Sequence, residues 1–421
     1  MKKILLAGTA IVGAAVLASP AQADLKIDLG GHFRGYAVFN DQDETGGAGT
    51  ENDLRSFEFK RDMEVHFTGE TTTDSGLTVG VHAELDLGNE GQSESGVSVL
   101  PAQPGNFSFT DNDPNQLDEA YIYFSGGWGR VNFGSEDGAA YLLQVAAPSA
   151  DSNVDGMRVY VQALNADVWD NGAADNSILG GNGLDFNYRL DYDNAFFRDT
   201  DRLTYLTPKW NGFQAGVSYA PEAGQGAVDD AFLGASLEDT TTNFEDLWEV
   251  AARWDGEFEG FGISAGVGYA NASATEEAAA GVNSFASDDY SAWDAGLNVS
   301  FNDFSVGVAY LNEETGVDDS AGLGNDSEIE TWVVGAAWDN GPYHLGATWY
   351  NTEIGNNAFG LGLTGTDNVD IERWTVGGGY TYGPGMTFRG SVAFGDVEAA
   401  SGAAADDTDF LQVGIGTDVN F

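Results

Sequence analysis

Residues 409–421 read DFLQVGIGTDVNF. Side chains alternate faces along an extended strand. Leu411, Val413, Ile415, Thr417, Val419 and Phe421 therefore share one side, and Gln412, Gly414, Gly416, Asp418 and Asn420 share the other. A strand that is oily on one face, polar on the other and ends on an aromatic suits the closing strand of a β-barrel set in lipid. It also suits an edge strand of a soluble sandwich. The rest of the chain separates the two.

Fifteen further segments alternate in the same way: 25–39, 56–69, 77–87, 117–125, 130–136, 201–208, 213–220, 246–257, 261–271, 290–301, 304–312, 328–338, 343–352, 369–382 and 386–396. A membrane strand needs about 9–11 residues. Most segments reach that length, while 130–136 and 201–208 are short. Short connections carry turn residues, at 71–76, 126–129, 209–212, 258–260, 302–303, 339–342 and 383–385. Long ones lie near 40–55, 88–116, 137–200, 221–245, 272–289, 313–327, 353–368 and 397–408. Short and long alternate strictly, which is the asymmetry of a membrane barrel. A sandwich has no reason to gather its long loops at one end. An even strand number brings both chain ends to the short-turn end, where the first strand can pair with the last.

The faces agree. Leu25, Ile27, Leu29, Phe33, Ala37 and Phe39 oppose Lys26, Asp28, His32 and Arg34; Trp248, Val250, Ala252 and Trp254 oppose Glu249, Arg253 and Asp255. A lysine or arginine facing mid-bilayer costs about 2–4 kcal/mol, and Arg34, Lys60, Arg253, Arg373 and Arg389 all fall on polar faces. Arg61 does not, so a subunit interface or a β-bulge is expected there. Aromatics collect at strand ends: Phe213, Phe261, Phe301, Phe304, Tyr343 and Tyr380 near short turns, Phe57, Trp248, Tyr269, Trp293, Tyr310 and Trp332 near long loops. Two such rings fit the aromatic girdles of the two membrane interfaces.

The N-terminus reads as a secretory signal: basic Lys2 and Lys3, an apolar stretch over 4–17, and Ala21-Gln22-Ala23 as a small-residue cleavage site. The expected division is a cleaved signal peptide over 1–23 and a barrel over 24–421. The apolar stretch is too short for a permanent helical span, so a membrane-spanning form has to be a closed barrel, because backbone groups in lipid need internal partners. Cleavage leaves 14 basic against 67 acidic residues, a net charge of −53. That excludes nucleic acid as a partner, since phosphate binding needs a basic face. It favours cations, or simply a surface suited to salty water. The chain has no cysteine and only four histidines, so neither a disulfide frame nor a nucleophile–base pair for an enzyme is expected.

Two hairpins carry a family resemblance. One is the run 118–134, DEAYIYFSGGWGRVNFG, followed at once by the long third loop. The other is 202–219, RLTYLTPKWNGFQAGVSY. With the terminal Phe421 they resemble the Gram-negative general porins of the alphaproteobacterial type, over the whole mature chain. The resemblance implies an all-β, transmembrane, antiparallel up-and-down barrel of about 16 strands. It implies a homotrimer with a water-filled lumen, and a third loop, 137–200, folded into that lumen as the constriction. Phe421 would then be the assembly signal read by the outer-membrane barrel assembly machinery.

A barrel of that size encloses an aqueous channel. The expected function is passive passage of small hydrophilic solutes and ions across the bacterial outer membrane, with a cation preference. A substrate-selective channel with a lumen binding site, or a secreted β-rich carbohydrate-binding or surface-layer protein, are the alternatives. The third loop supplies the acidic side of the expected constriction through Asp151, Asp155, Asp167, Asp170 and Asp175. Counted from strand ends, His32, Arg34, Lys60, Asp62 and His82 lie near mid-height on the facing wall, either as one basic patch or as ordinary solvated lumen charge. No cofactor is expected. Structural Ca²⁺ held by carboxylate oxygens of Asp111, Asp113, Asp118 and Glu119 is the open exception.

Overall fold

The computed structural model describes residues 25–42, 55–87, 117–150, 192–194, 199–222, 244–274, 288–316, 328–355, 368–398 and 408–421. The first strands are β1 (Lys26–Gln42), β2 (Phe57–Thr72), β3 (Thr78–Asp86), β4 (Leu117–Gly126) and β5 (Gly129–Glu136). A one-turn helix, α1 (Ala139–Leu142), opens the third loop. Beyond it lie β6 (Thr200–Leu206), β7 (Phe213–Glu222), β8 (Phe244–Phe258), β9 (Phe261–Ala274), β10 (Tyr290–Phe301) and β11 (Phe304–Glu314). The last five are β12 (Glu328–Asn340), β13 (Tyr343–Ile354), β14 (Val369–Gly383), β15 (Met386–Glu398) and β16 (Thr408–Asn420). Each strand pairs antiparallel with its neighbours in sequence, and β1 pairs with β16, so the sheet is a closed barrel. All sixteen expected segments are strands, and all seven short turns fall where expected.

The seam lies between the two chain ends. His32 sits opposite Asn420. Beyond that pair, Gly31 and Phe421 exchange both backbone hydrogen bonds at 3.1 Å. Gly31 has φ +150°, and a Cβ there would run into the Glu64 carbonyl. Only glycine lets the first strand pass between its two partners at this point.

Alternation gives the wall its two solvents. Outward positions carry Ile27 and Leu29 on β1, Val267 and Tyr269 on β9, Trp332 and Val334 on β12, and Ile415 on β16, all exposed on the single chain. On the long-loop side Tyr219 packs on Trp248 at 4.5 Å, Trp293 on Tyr310 at 4.7 Å and Tyr310 on Trp332 at 4.4 Å. On the short-turn side Phe261 stacks on Phe301 at 4.7 Å and Tyr343 meets Tyr380 at 5.2 Å. Trp293 and Phe301 belong to one strand, and the residues between them span about 20 Å of barrel height at the usual strand rise and a tilt of about 40°. That is close to the apolar band of an outer-membrane barrel. Val267, 59% exposed within this band, provides the check: Val267→Arg is expected to cost about 2–4 kcal/mol in reversible folding into lipid vesicles, and an unchanged folding free energy would remove β9 from the lipid.

Arg61 faces outward and is exposed. Pairing of β1 with β2 runs without a shift from Phe39↔Phe57 to Lys26↔Glu70, with Arg61 opposite Gly35. The bulge reading of Arg61 is therefore excluded. Register shifts do occur at Ala83/Leu85, Glu245/Trp248 and Thr381/Gly383, and periodicity alone did not announce them. Inside, an apolar cluster of Ala220, Phe244, Leu247, Ala270, Tyr290 and Leu311 fills the long-loop end of β7–β11.

Candidate functional site: the inner wall and the third loop

The third loop begins inside the barrel. Its first residues, 138–150, run along the inner wall from β7 to β14. Inward glycines make the groove. A Cβ at Gly216 would lie 3.1 Å from Ala139 Cβ, and one at Gly266 would lie 2.9 Å from Val145 Cγ2. At Gly296 it would overlap the Val145 carbonyl, at Gly335 the Pro148 carbonyl, and at Gly346 it would press on the Ser149 carbonyl. Gly296 pairs with Gly266 across β9 and β10, and Gly307 with Gly335 across β11 and β12. The belt is thus continuous around this side of the barrel.

Polar groups pin the segment in the groove. The Ala139 amide donates to Ser218 Oγ at 2.8 Å, and the Ala140 amide to Glu249 Oε2 at 3.0 Å. Glu249 is held in turn by Arg202, Nη1 to Oε1 2.5 Å, with side chains only 1% and 6% exposed. Arg253 Nη1 donates to the Gln144 carbonyl at 3.1 Å, and His344 Nε2 lies 3.0 Å from the Ser149 carbonyl. The returning end of the loop is fastened to its start. Gln144 Nε2 donates to the Tyr192 carbonyl at 2.8 Å, the Asn194 amide to Gln144 Oε1 at 3.0 Å, and Asn194 Nδ2 to Asp294 Oδ2 on β10 at 2.8 Å. A buried hydrogen bond to a charged group contributes about 1.5–3 kcal/mol, so this anchorage is rigid on the scale of thermal motion.

The opposite wall, β1–β5, carries the charged array. Arg34 Nη1 donates to Asp62 Oδ2 at 3.0 Å, and His32 Nε2 lies 2.9 Å from the same oxygen. His32 Nδ1 is 3.7 Å from Glu64 Oε2, which is 2.9 Å from His66 Nε2. His66 Nδ1 is 3.5 Å from Glu84 Oε1, which is 2.8 Å from His82 Nε2. The His82 ring lies beside Tyr121 at 5.2 Å, and Arg130 stands 4.1 Å over the ring of Tyr123, whose hydroxyl donates to Glu70 at 2.9 Å.

His32, Arg34, Asp62 and His82 are therefore brought together, as the strand positions implied. Lys60 is inward but stands apart, paired with Glu58 at 3.0 Å. His66 and Arg130 belong to the array and were not picked out from the sequence. The repeated pattern Glu64-Val65-His66 and His82-Ala83-Glu84 was the available signal, since spacing by two keeps both groups on one face. Asp151, Asp155, Asp167, Asp170 and Asp175 lie outside the described residues, as do Asp111 and Asp113. Glu119 groups with Asp137 and Asp199 where the third loop leaves and rejoins the wall, their nearest oxygens within 4.8 Å.

The family model described as Gram-negative porin matches residues 7–400. No curated protein matches the chain in sequence. Several solved structures share the fold. The anion-selective porin from Comamonas acidovorans has a TM-score of 0.56 at 14% identity, over 94% of this chain and 100% of that one. Salmonella typhi OmpF, in complex with daunomycin, has a TM-score of 0.55 at 16% identity, over 94% and 98%. The trimer form of OmpT from Vibrio cholerae has a TM-score of 0.53 at 13% identity, over 94% and 99%. At such identities the likeness is one of fold.

Proposed function

Because the chain belongs to the Gram-negative porin family, and so to the bacterial outer membrane, we propose that it is a passive, cation-preferring channel for small hydrophilic solutes and ions. Ion pairing on the wall supports the preference. Arg34 is paired with Asp62, Lys60 with Glu58, Arg202 with Glu249, Arg253 with Asp255, and Arg389 with Asp418. Inward carboxylates such as Glu64, Glu84, Asp86 and Glu313 outnumber the remaining inward arginines, Arg130 and Arg373, so the fixed charge of the lumen is negative. A pore lined by excess carboxylates raises local cation concentration and repels anions. The Comamonas porin is anion-selective, so selectivity within this fold follows each chain's own charges.

Reversal potentials in a KCl gradient test the reading. Cation selectivity is expected; anion selectivity overturns it. Arg34→Gln combined with Lys60→Gln exposes Asp62 and Glu58 and moves selectivity further towards cations. No shift would remove both residues from the conduction path. The third-loop acids Asp151, Asp155, Asp167, Asp170 and Asp175 stand, in this reading, across the lumen from the β1–β5 array, and the field between them orients dipolar solutes. The outward Arg61 supports assembly as a homotrimer, because a subunit contact relieves the cost of an arginine in lipid. Residues 1–23 act as the export signal, Phe421 as the mark for the barrel assembly machinery.

A further inference from the structure

Three of the four histidines of the chain stand in one row on the inner wall, interleaved with carboxylates. We infer that His32, His66 and His82 with Glu64 and Glu84 form a binding site for one divalent transition-metal ion. The register builds the row. His32 on β1 pairs directly with Glu64 on β2, and His66 pairs directly with Glu84 on β3. The ligand atoms fall into two overlapping triads, His32–Glu64–His66 and His66–His82–Glu84, each with all its atoms within 4.8 Å.

Within the first triad the Glu64 oxygen is 2.9 Å from His66 Nε2 and 3.7 Å from His32 Nδ1. Within the second the Glu84 oxygen is 2.8 Å from His82 Nε2 and 3.5 Å from His66 Nδ1. Donors held about 2.0–2.1 Å from a tetrahedral ion stand about 3.3 Å apart, so small side-chain rotations suffice to receive an ion. Two imidazoles and one carboxylate, with the lumen side open to water, is a donor set that suits Zn²⁺, Cu²⁺ or Ni²⁺ and disfavours Ca²⁺ and Mg²⁺, which take oxygen ligands.

The supporting contacts are built as well. A metal-bound histidine is oriented by what its other ring nitrogen holds. His32 turns its far nitrogen to Asp62, itself fixed by Arg34 at 3.0 Å. His82 turns its far nitrogen to Thr68 Oγ1 at 2.8 Å. His66 faces Glu64 with one nitrogen and Glu84 with the other. A neutral imidazole offers one lone pair at a time, so filling one triad withdraws His66 from the other. Stoichiometry is therefore one ion per chain, with two alternative positions. The ion adds positive charge to the wall of the lumen and weakens its cation preference.

The experiment is a Cu²⁺ titration of the folded, detergent-solubilised protein carrying no polyhistidine tag, followed by electron paramagnetic resonance. One Cu²⁺ per chain with two nitrogen donors is expected, unaffected by millimolar Ca²⁺. His66→Gln is expected to lower the affinity by on the order of 100-fold, since even outer-shell changes cost 10–100-fold. His344→Gln, which removes the fourth histidine, leaves it unchanged. Absence of binding at micromolar Cu²⁺, a spectrum without nitrogen donors, or equal affinity in His66→Gln overturns the assignment. The wild-type spectrum decides the matter even if His66→Gln fails to fold. None of these readouts depends on ion conduction, so they stand or fall separately from the channel reading.

Discussion

Replacing Glu249 with alanine is expected to destabilise the folded barrel by about 3–5 kcal/mol, the usual cost of leaving one partner of a buried ion pair behind. Arg202 would remain almost fully buried, its Nη1 facing an empty position, and the Ala140 amide would lose its acceptor. Exposed pairs such as Lys209–Asp255 carry no comparable weight, because solvent screens them. Denaturant unfolding from lipid vesicles, followed by tryptophan fluorescence, measures the difference. The double variant Arg202→Met, Glu249→Leu is expected to recover most of the stability, since apolar replacement of a buried pair is often neutral. It still lacks the acceptor for the loop. A loss below about 1 kcal/mol for Glu249→Ala would mean that water reaches the pair and that the anchorage described above is not buried.

The second large effect is on conduction. Gly296→Val combined with Gly335→Val places branched side chains where the Val145 and Pro148 carbonyls now lie. Both sites are on the inner face of strands whose outer face is untouched, so the barrel itself is expected to fold. The loop cannot keep its groove, and its anchored segment must leave the wall. Conductance of a water-filled pore follows its narrowest cross-section, and the expected change is about twofold or more in single-channel current. Unchanged current from a correctly folded variant would show that the third loop does not set the passage.

The sequence discloses the strands and conceals the site, for one physical reason. A strand between lipid and water writes its own two faces into alternate residues, so Trp332, Val334 and Thr331, Val333 can be sorted without knowing any neighbour. Strand ends are less clear where backbone chemistry overrides the pattern. The 201–208 segment stops at Leu206 because Thr207 and Pro208 enter the turn that Trp210 and Phe213 close. Contacts between strands depend on register, which turns and bulges fix. His66 joins His32 and His82 only because β2 is aligned with both β1 and β3, and no single strand states that alignment. Arg61 was ambiguous for the same reason, and the unbroken pairing removes the bulge reading. The glycines at 266, 296, 307, 335 and 346 face the lumen on their strands. What packs against them is a loop segment more than a hundred residues away in the chain, a contact that no local pattern encodes.

Planar-bilayer recording of the purified, detergent-folded protein tests the central claim most directly. The account predicts discrete, ohmic conductance steps whose reversal potential in a salt gradient has the sign of a cation-selective pore. A folded, membrane-inserted barrel that passes no current would contradict it.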